Sequence, residues 1–352
     1  MQNRVSAPEH AAGRYRGRML MREPDFWWQA NGGRLLAPFG GVYGAVAAFR
    51  LKSPGQKVGT PVICLGNLTM GGAGKTPAAL TVGRLLLAEH KRPFFLTRGY
   101  GGRLAGPVRV DPAIHSAADV GDEPFLLAKL APTIVARDRL AGASAARRDG
   151  ANVIVMDDGF QNPSLAKDLA ILVVDGRRAI GNGRVFPAGP LRAPLQVQVA
   201  HAQAVLVVGA PAEGMASVLE NTRRHGVAIF HGRLEPDRTG LDELGQRRVL
   251  AFAGIADPEK FYLTLREAGV VVTEHASFPD HHRYTAADAR DLVARADAAS
   301  LTLLTTEKDH ARFPGNESLA ELAARSSVLR VQLKVKEESE FRRLVLSVFE
   351  GH

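Results

Sequence analysis

Gly66-Asn67-Leu68-Thr69-Met70-Gly71-Gly72-Ala73-Gly74-Lys75-Thr76 decides how this chain folds. It follows an apolar run, Val62 to Leu65, and leads into Ala78 to Glu89, whose apolar spacing predicts a helix. A glycine-rich turn between strand and helix lets backbone N–H groups close on phosphate oxygens, and the helix start favours negative charge there. Lys75 is placed to reach the β- and γ-phosphates of a nucleotide, and the Thr76 hydroxyl to bind Mg²⁺. The loop departs from G-x-x-x-x-G-K-[ST] at one position, where Thr69 stands for the first glycine; Gly71 and Gly72 are expected to restore the lost backbone freedom. The candidate nucleotide contacts are therefore Thr69, Met70, Gly71, Gly72, Ala73, Gly74, Lys75 and Thr76.

Working outward, Phe94 to Thr97, Val153 to Met156, Ala170 to Val174 and Ala204 to Val208 are nearly continuous apolar runs. Strands covered on both faces of a parallel sheet read this way. Their alternation with helical stretches such as Pro124 to Ala131 predicts α/β architecture, a doubly wound, mainly parallel sheet of the P-loop NTPase kind. The pattern changes near Phe230. Phe230 to Pro236 reads as a connecting strand, after which Val249 to Ala253, Val270 to Thr273 and Leu301 to Thr305 form a second, smaller α/β set. Val328 to Val335 alternates like one strand returning beside the connector, and Glu337 to Phe349 reads as a closing helix. The expected divisions are a basic extension over 1–20, a membrane-associating segment over 21–57 and a P-loop domain over 58–229. Linker strands with the smaller domain follow over 230–336, then a C-terminal helix over 337–352.

A chain of 352 residues exceeds what one core usually organises, and 45% apolar with 23% charged residues is ordinary globular composition. The single cysteine, Cys64, cannot form an intrachain disulfide and reads as a small buried hydrophobe in a reducing compartment. The net charge of +9 favours phosphate-bearing partners. Much of the excess lies in residues 1–57, where nine Lys or Arg face three acids. That excess stands beside an apolar stretch rather than among aromatics on a sheet face, which argues against nucleic acid. The stretch, Leu35 to Phe49, follows Phe26-Trp27-Trp28 and is closed by Arg50 and Lys52. It falls short of the roughly 20 apolar residues of a membrane span, and Pro38, Gly40, Gly41 and Gly44 interrupt it. Aromatic residues flanked by arginine suit a segment lying among lipid headgroups; a hairpin packed on the core would use the same residues. A basic start before an apolar run is also the form of a signal peptide, but a nucleotide loop just downstream argues for a cytosolic chain.

Phosphoryl transfer needs more than a nucleotide loop. Val153-Ile154-Val155-Met156-Asp157-Asp158 supplies the metal-supporting acid expected at the end of a neighbouring strand, with one aspartate on the metal side and the other facing the cleft. Gly121-Asp122-Glu123-Pro124 begins a helix, where Asp122 is either a simple cap or a base near the accepting hydroxyl. Phe278-Pro279-Asp280-His281-His282-Arg283-Tyr284 is dense in groups titrating near neutrality, yet no further His or Cys cluster completes a zinc site. Gly181 to Arg192, rich in Pro and Gly, is a stiff loop able to aim Arg192 at phosphates.

Seven blocks in this order resemble the tetraacyldisaccharide 4'-kinase (lipid A 4'-kinase) family of Gram-negative bacteria: Gly66 to Pro77, Arg98 to Gly101, Gly121 to Pro124, Asp157 to Gln161, Pro187 to Arg192, Phe278 to His281 and Thr306 to Asp309. The resemblance runs from about Trp27 to about Phe313. It implies transfer of the ATP γ-phosphate to the 4'-hydroxyl of a tetraacyldisaccharide 1-phosphate, a glycolipid, by a peripheral or monotopic enzyme on the cytoplasmic face of the inner membrane. No obligate protein partner is implied. It further implies two α/β domains joined by a two-stranded linker and closing over ATP and Mg²⁺. Carried onto this chain, Asp122 becomes the base, His281 the partner that orients it, and Arg192 the group that neutralises phosphate, with Lys75 and Thr76 in the loop. Thr76, Asp157 and Asp158 take the metal side. The family commonly has His after Phe-Gln and Glu after Leu-Arg, where this chain has Asn162 and Ala193. Glu123 is the expected substitute for that missing acid on the metal side. From the residues alone, a kinase of a soluble metabolite and a regulatory nucleotide switch remain open.

Overall fold

In this computed structural model residues 23–350 are described; the extension expected over 1–20 lies outside them. The large sheet contains β1 (Val62–Asn67), β2 (Pro93–Thr97), β3 (Val108–Arg109), β4 (Thr133–Val135), β5 (Val153–Asp157), β6 (Leu169–Asp175), β7 (Ala204–Val208) and β8 (Ala228–Pro236). The small sheet is built of β9 (Arg248–Ala253), β10 (Val271–Ser277), β11 (Thr302–Thr306) and β12 (Ser326–Leu329), and β13 (Val331–Val335) returns to the large one. The large sheet runs β13-β8-β7-β6-β1-β5-β2-β4-β3, and only the edge pairs β13–β8 and β3–β4 are antiparallel. The expected doubly wound α/β sheet is thus present, with β1 at its centre.

The continuous apolar runs follow from burial on both faces. Val62, Cys64, Ile154, Met156 and Leu172 point into one core, while Ile63, Leu65, Val153, Val155 and Ile171 point into the other, as the strand period of two requires. Burial pushes the Cys64 thiol pKa up to about 12, so it behaves as a hydrophobe. The helix Lys75–Ala88 lies on the second core through Ala78, Ala79, Val82 and Leu86. β5 and β6 flank β1 on opposite sides, so strand order reverses there and a crevice opens at the carboxyl end of β1.

The small sheet repeats the device. Its order is β10-β9-β11-β12, all parallel, and it reverses at β9. The segments after β9, β10 and β11 carry Gly254, His281 and Arg312, so this sheet too offers its carboxyl ends to a crevice.

Three sequence expectations change. Val328 to Val335 is not one strand: β12 pairs with β11, β13 pairs with β8, and exposed Arg330 stands between them. The two linker strands, β8 and β13, pair with each other as expected and extend the large sheet through β7. The interrupted apolar stretch is the helix Ala37–Leu51, with Pro38 in its first turn. Its glycines do not break it; Gly40 and Gly44 are buried, and a Cβ on Gly40 would come 2.7 Å from the Val185 carbonyl oxygen. Trp27, expected among headgroups, is buried, and its Nε1 donates to the Pro187 carbonyl at 3.0 Å.

The close approach beneath the glycine-rich loop gives a test. A Cβ on Gly66 would stand 2.2 Å from the Cβ of Phe160, itself buried. Gly66→Ala should therefore destabilise the fold by about 1–3 kcal/mol, read as a lower urea midpoint at unchanged slope. A midpoint equal to that of the parent would show that this contact does not constrain the strand.

Candidate active site

Between β1 and the helix Lys75–Ala88 the loop is held from two sides. Thr69 forms a bridge with Leu191, and the Met70 N–H donates to the Pro190 carbonyl at 2.8 Å, so the backbone here runs extended and needs no glycine at 69. Of the pair expected to restore freedom, only Gly71 takes a positive φ, 90°, matched by 90° at Gly74 before the helix. Asn67 closes the turn, its Nδ2 donating to the Gly71 carbonyl at 2.8 Å.

Two aspartates follow β5 with opposite electrostatics. Both carboxylate oxygens of Asp157 are buried, with no hydrogen-bond partner among the described residues. Burial and the charge of Glu123 push its pKa up to about 7 against the pull of Lys75. Asp158 sits at φ 53°, a left-handed conformation that a non-glycine residue seldom takes. Arg192 Nη1 lies 2.7 Å from its carboxylate and Lys75 Nζ 3.5 Å. Burial would raise the Asp158 pKa, but these two cations hold it well below the usual range. Arg192 also donates from Nε to the Thr69 carbonyl at 3.0 Å, fixing it to the loop.

Asp122 begins the helix Asp122–Ala128 and is buried. His281, from the segment after β10 and also left-handed at φ 54°, brings Nδ1 to 3.1 Å from Asp122 Oδ2. Arg312 grips the same oxygen, with Nη2 at 2.6 Å and Nε at 3.1 Å. Oδ2 is thereby saturated, whereas among the described residues Oδ1 accepts only the Glu123 N–H, at 2.9 Å, and keeps a lone pair for a proton. Burial acts to raise the Asp122 pKa, but Lys308, His281 and Arg312 together hold it well below the carboxylate range. Glu123 is paired with Lys308 at 2.7 Å. Its pKa too is lowered, with burial outweighed by Lys308 and Lys75.

Arg312 is itself held. The buried Asp309 accepts from Arg312 Nη1 at 2.8 Å, the Tyr284 hydroxyl at 2.9 Å and the Gly254 N–H at 2.9 Å through Oδ1, while Oδ2 takes the Thr306 hydroxyl at 2.6 Å.

The structure brings Asp122 against His281 and gathers Lys75 and Arg192 on Asp158, while Glu123 and Asp157 lie within electrostatic reach of Lys75. Thr76 is buried in the first helical turn. Sequence reasoning assigned no role to Arg312, Lys308, Asp309 or Asn67. Lys308 and Asp309 stand in the block Thr306 to Asp309, the one available signal; Arg312 falls just beyond it. The two departures from the family are accommodated locally. Asn162 Oδ1 accepts the Ser164 N–H and hydroxyl at 3.0 and 2.7 Å, and Ala193 is buried with its carbonyl accepting Gln198 Nε2 at 2.7 Å. Among the described residues no cluster of three or more His, Cys, Asp or Glu is arranged to hold a metal by itself.

The sequence model of the family described as tetraacyldisaccharide-1-P 4'-kinase matches residues 33–350. A tetraacyldisaccharide 4'-kinase of Rhodopseudomonas palustris (strain BisB5) is 51% identical over 330 residues, 93% of this chain and 96% of the relative. One of Methylobacterium radiotolerans is 53% identical over 331 residues, 92% of this chain and 98% of the relative. Among solved structures, the "apo" form of LpxK from Aquifex aeolicus in complex with ATP is similar at a TM-score of 0.71 and 28% identity, covering 90% of this chain and 99% of that one. With the match spanning both sheets and every segment of the cleft, the chain belongs to the tetraacyldisaccharide-1-P 4'-kinase family.

Proposed function

We propose that this chain transfers the γ-phosphate of ATP to the 4'-hydroxyl of a tetraacyldisaccharide 1-phosphate at the cytoplasmic face of a bacterial inner membrane. The observation that carries this reading is Asp122, ionised, oriented through Oδ2 and open at Oδ1, in the same buried charge cluster as Lys75 of the glycine-rich loop. In the transfer, the hydroxyl oxygen bonds to the γ-phosphorus, the bond from that phosphorus to the ADP oxygen breaks, and the hydroxyl proton passes to Asp122 Oδ1. A carboxylate of such low pKa is a weak base, which suits a loose transition state in which the proton leaves late. Arg312 and His281 fix the carboxylate, while Lys75 and Arg192 neutralise the phosphates. The same reading keeps a P-loop domain over 58–229, the linker strands and smaller domain over 230–336, and a closing helix over 337–352.

The donors fit Mg²⁺. Asp157 has two buried acceptor oxygens without partners, and a hard cation held by one or two carboxylates, a hydroxyl, water and nucleotide oxygens needs no preformed cage. Thr76, Asp157 and Asp158 would hold it, with Glu123 completing the acidic side under the counter-charge of Lys308. When bound, Mg²⁺ offsets charge on the phosphate oxygens.

Contact with the membrane rests on the helix Ala37–Leu51. Leu35, Phe39, Val42, Val46 and Phe49 recur at helical spacing and stand exposed, Leu35 at 94% and Phe49 at 78%. Among the described residues no helix is long and apolar enough to cross a membrane, so the fit is to a helix lying in the interface.

Four outcomes test this reading. Radiolabel from the ATP γ-phosphate should pass to a tetraacyldisaccharide 1-phosphate in micelles, and Asp122→Ala should lower kcat by about 10² to 10⁴ with ATP affinity kept. Acceptor-independent phosphate release, or a wild-type rate in the variant, would overturn it. Asp157, raised from 3.8 to about 7, favours the fold while protonated, an effect complete below the unfolded pKa and lost as pH rises through about 7. Asp157→Asn should therefore stabilise the nucleotide-free protein by about 2 kcal/mol more at pH 8 than at pH 5; equal urea shifts at both would exclude Asp157 as the titrating group. Replacing Phe39, Val42 and Phe49 together by serine should release the protein from anionic vesicles, and undiminished co-sedimentation would reject the interfacial helix.

A further inference from the structure

Arg184 differs from three arginines of neighbouring segments, each paired with a carboxylate. Arg192 is paired with Asp158, Arg178 with Glu23 and Arg177 with Asp257. Among the described residues Arg184 has no such partner, and its Nε is buried with no hydrogen bond. A guanidinium nitrogen kept from water and left unpaired carries a desolvation cost that a bound anion removes.

Its backbone is not free to wander. The Arg184 N–H donates to Asn182 Oδ1 at 3.0 Å, and its carbonyl accepts the Leu191 N–H at 3.0 Å. Asn182 Nδ2 donates in turn to the carbonyls of Gly32 and Ala188 at 3.1 and 3.0 Å, pinning the turn to the N-terminal segment. Arg184 lines a groove of about 230 Å³ whose other walls are small or apolar: Gly40, Gly41 and Gly44 of the helix Ala37–Leu51, with Ala188 and Pro194 opposite. Arg184 is the charged group of that lining. The loop that carries it touches the helix at Gly40 through the Val185 carbonyl and the nucleotide loop at Thr69 through Leu191.

We infer that Arg184 receives the 1-phosphate of the glycolipid acceptor and so selects which end of the disaccharide is offered to Asp122. This rests on the kinase reading above. The acceptor bears one phosphate at the end remote from the hydroxyl that reacts, and a headgroup of two sugars enters a cleft either way round unless a second anchor breaks the symmetry. A guanidinium in an otherwise apolar groove supplies that anchor, because its planar donors match phosphate oxygens. The triphosphate has its own cations in Lys75 and Arg192, so it does not call on Arg184. A bulk phospholipid headgroup offers the same chemistry, and the experiment separates the two.

The full-length protein is assayed in neutral detergent micelles with a tetraacyldisaccharide carrying the 1-phosphate and with the same lipid lacking it. The reading is the ratio of kcat/KM between the two acceptors. Arg184→Ala should lower that preference about 10- to 100-fold, through KM for the phosphorylated lipid, and Arg184→Lys should restore part of it. A preference equal to that of the wild type overturns the assignment, whatever happens to total activity. So does a retained preference with weaker binding to vesicles of anionic phospholipid, which would give the guanidinium to bulk headgroups. Absence of transfer by the wild type to either acceptor would defeat the kinase reading itself.

Discussion

Arg312 reaches from the segment after β11 to Asp122 at the edge of the large sheet, and both groups are nearly out of water. Charges so placed cost several kcal/mol each unless paired and hydrogen-bonded. Asp309, wholly buried, meets that need for Arg312, and Arg312 with His281 meets it for Asp122. These bonds hold the carboxyl ends of both sheets facing one another. Glu123 with Lys308 repeats the bond beside it, and Asp175 with Lys260 at 2.9 Å ties β6 to the helix Pro258–Glu267. The more exposed pairs of Asp257 with Arg177 and Arg178 contribute less, as surface ion pairs do.

The same geometry separates the carboxylates by role. Asp122 and Asp158 lie against cations and stay ionised, whereas Asp157, fully buried and with no hydrogen-bond partner among the described residues, has its pKa pushed up. Burial without a partner and burial against cations thus push neighbouring acids in opposite directions. The left-handed backbone at Asp158 and His281 belongs to this arrangement. Asp158 directly follows β5 and His281 lies four residues past β10, and both take this φ where their side chains meet partners in the cleft.

Much of this was legible in the residues. The glycine-rich loop, the paired aspartates and the Asp122 and His281 segments each carry a local pattern of glycine, proline or charge. The remainder depends on partners distant in sequence. Arg312 looks like any arginine until Asp309 and Asp122 are seen on either side of it. The alternation of Val328 to Val335 continues smoothly past Arg330, because side-chain period says which face a residue takes but not which sheet the strand joins. β3 and β4, two and three residues long, are too short for any periodicity to register. The glycines of the helix Ala37–Leu51 read as breaks because propensity counts their backbone entropy and not the close approach they permit to Val185.

That close approach joins the ends of the molecule's chemistry. Trp27 packs edge-on against Phe186 and bonds Pro187, Asn182 bonds the segment from the other side, and Leu191 continues the loop to Thr69. The exposed apolar face and the phosphate loop are therefore parts of one rigid strap rather than two sites joined by a flexible tether. A strap held by backbone hydrogen bonds and packed aromatics holds the exposed apolar face and the nucleotide loop in one fixed relation, so neither has to be ordered anew against the other.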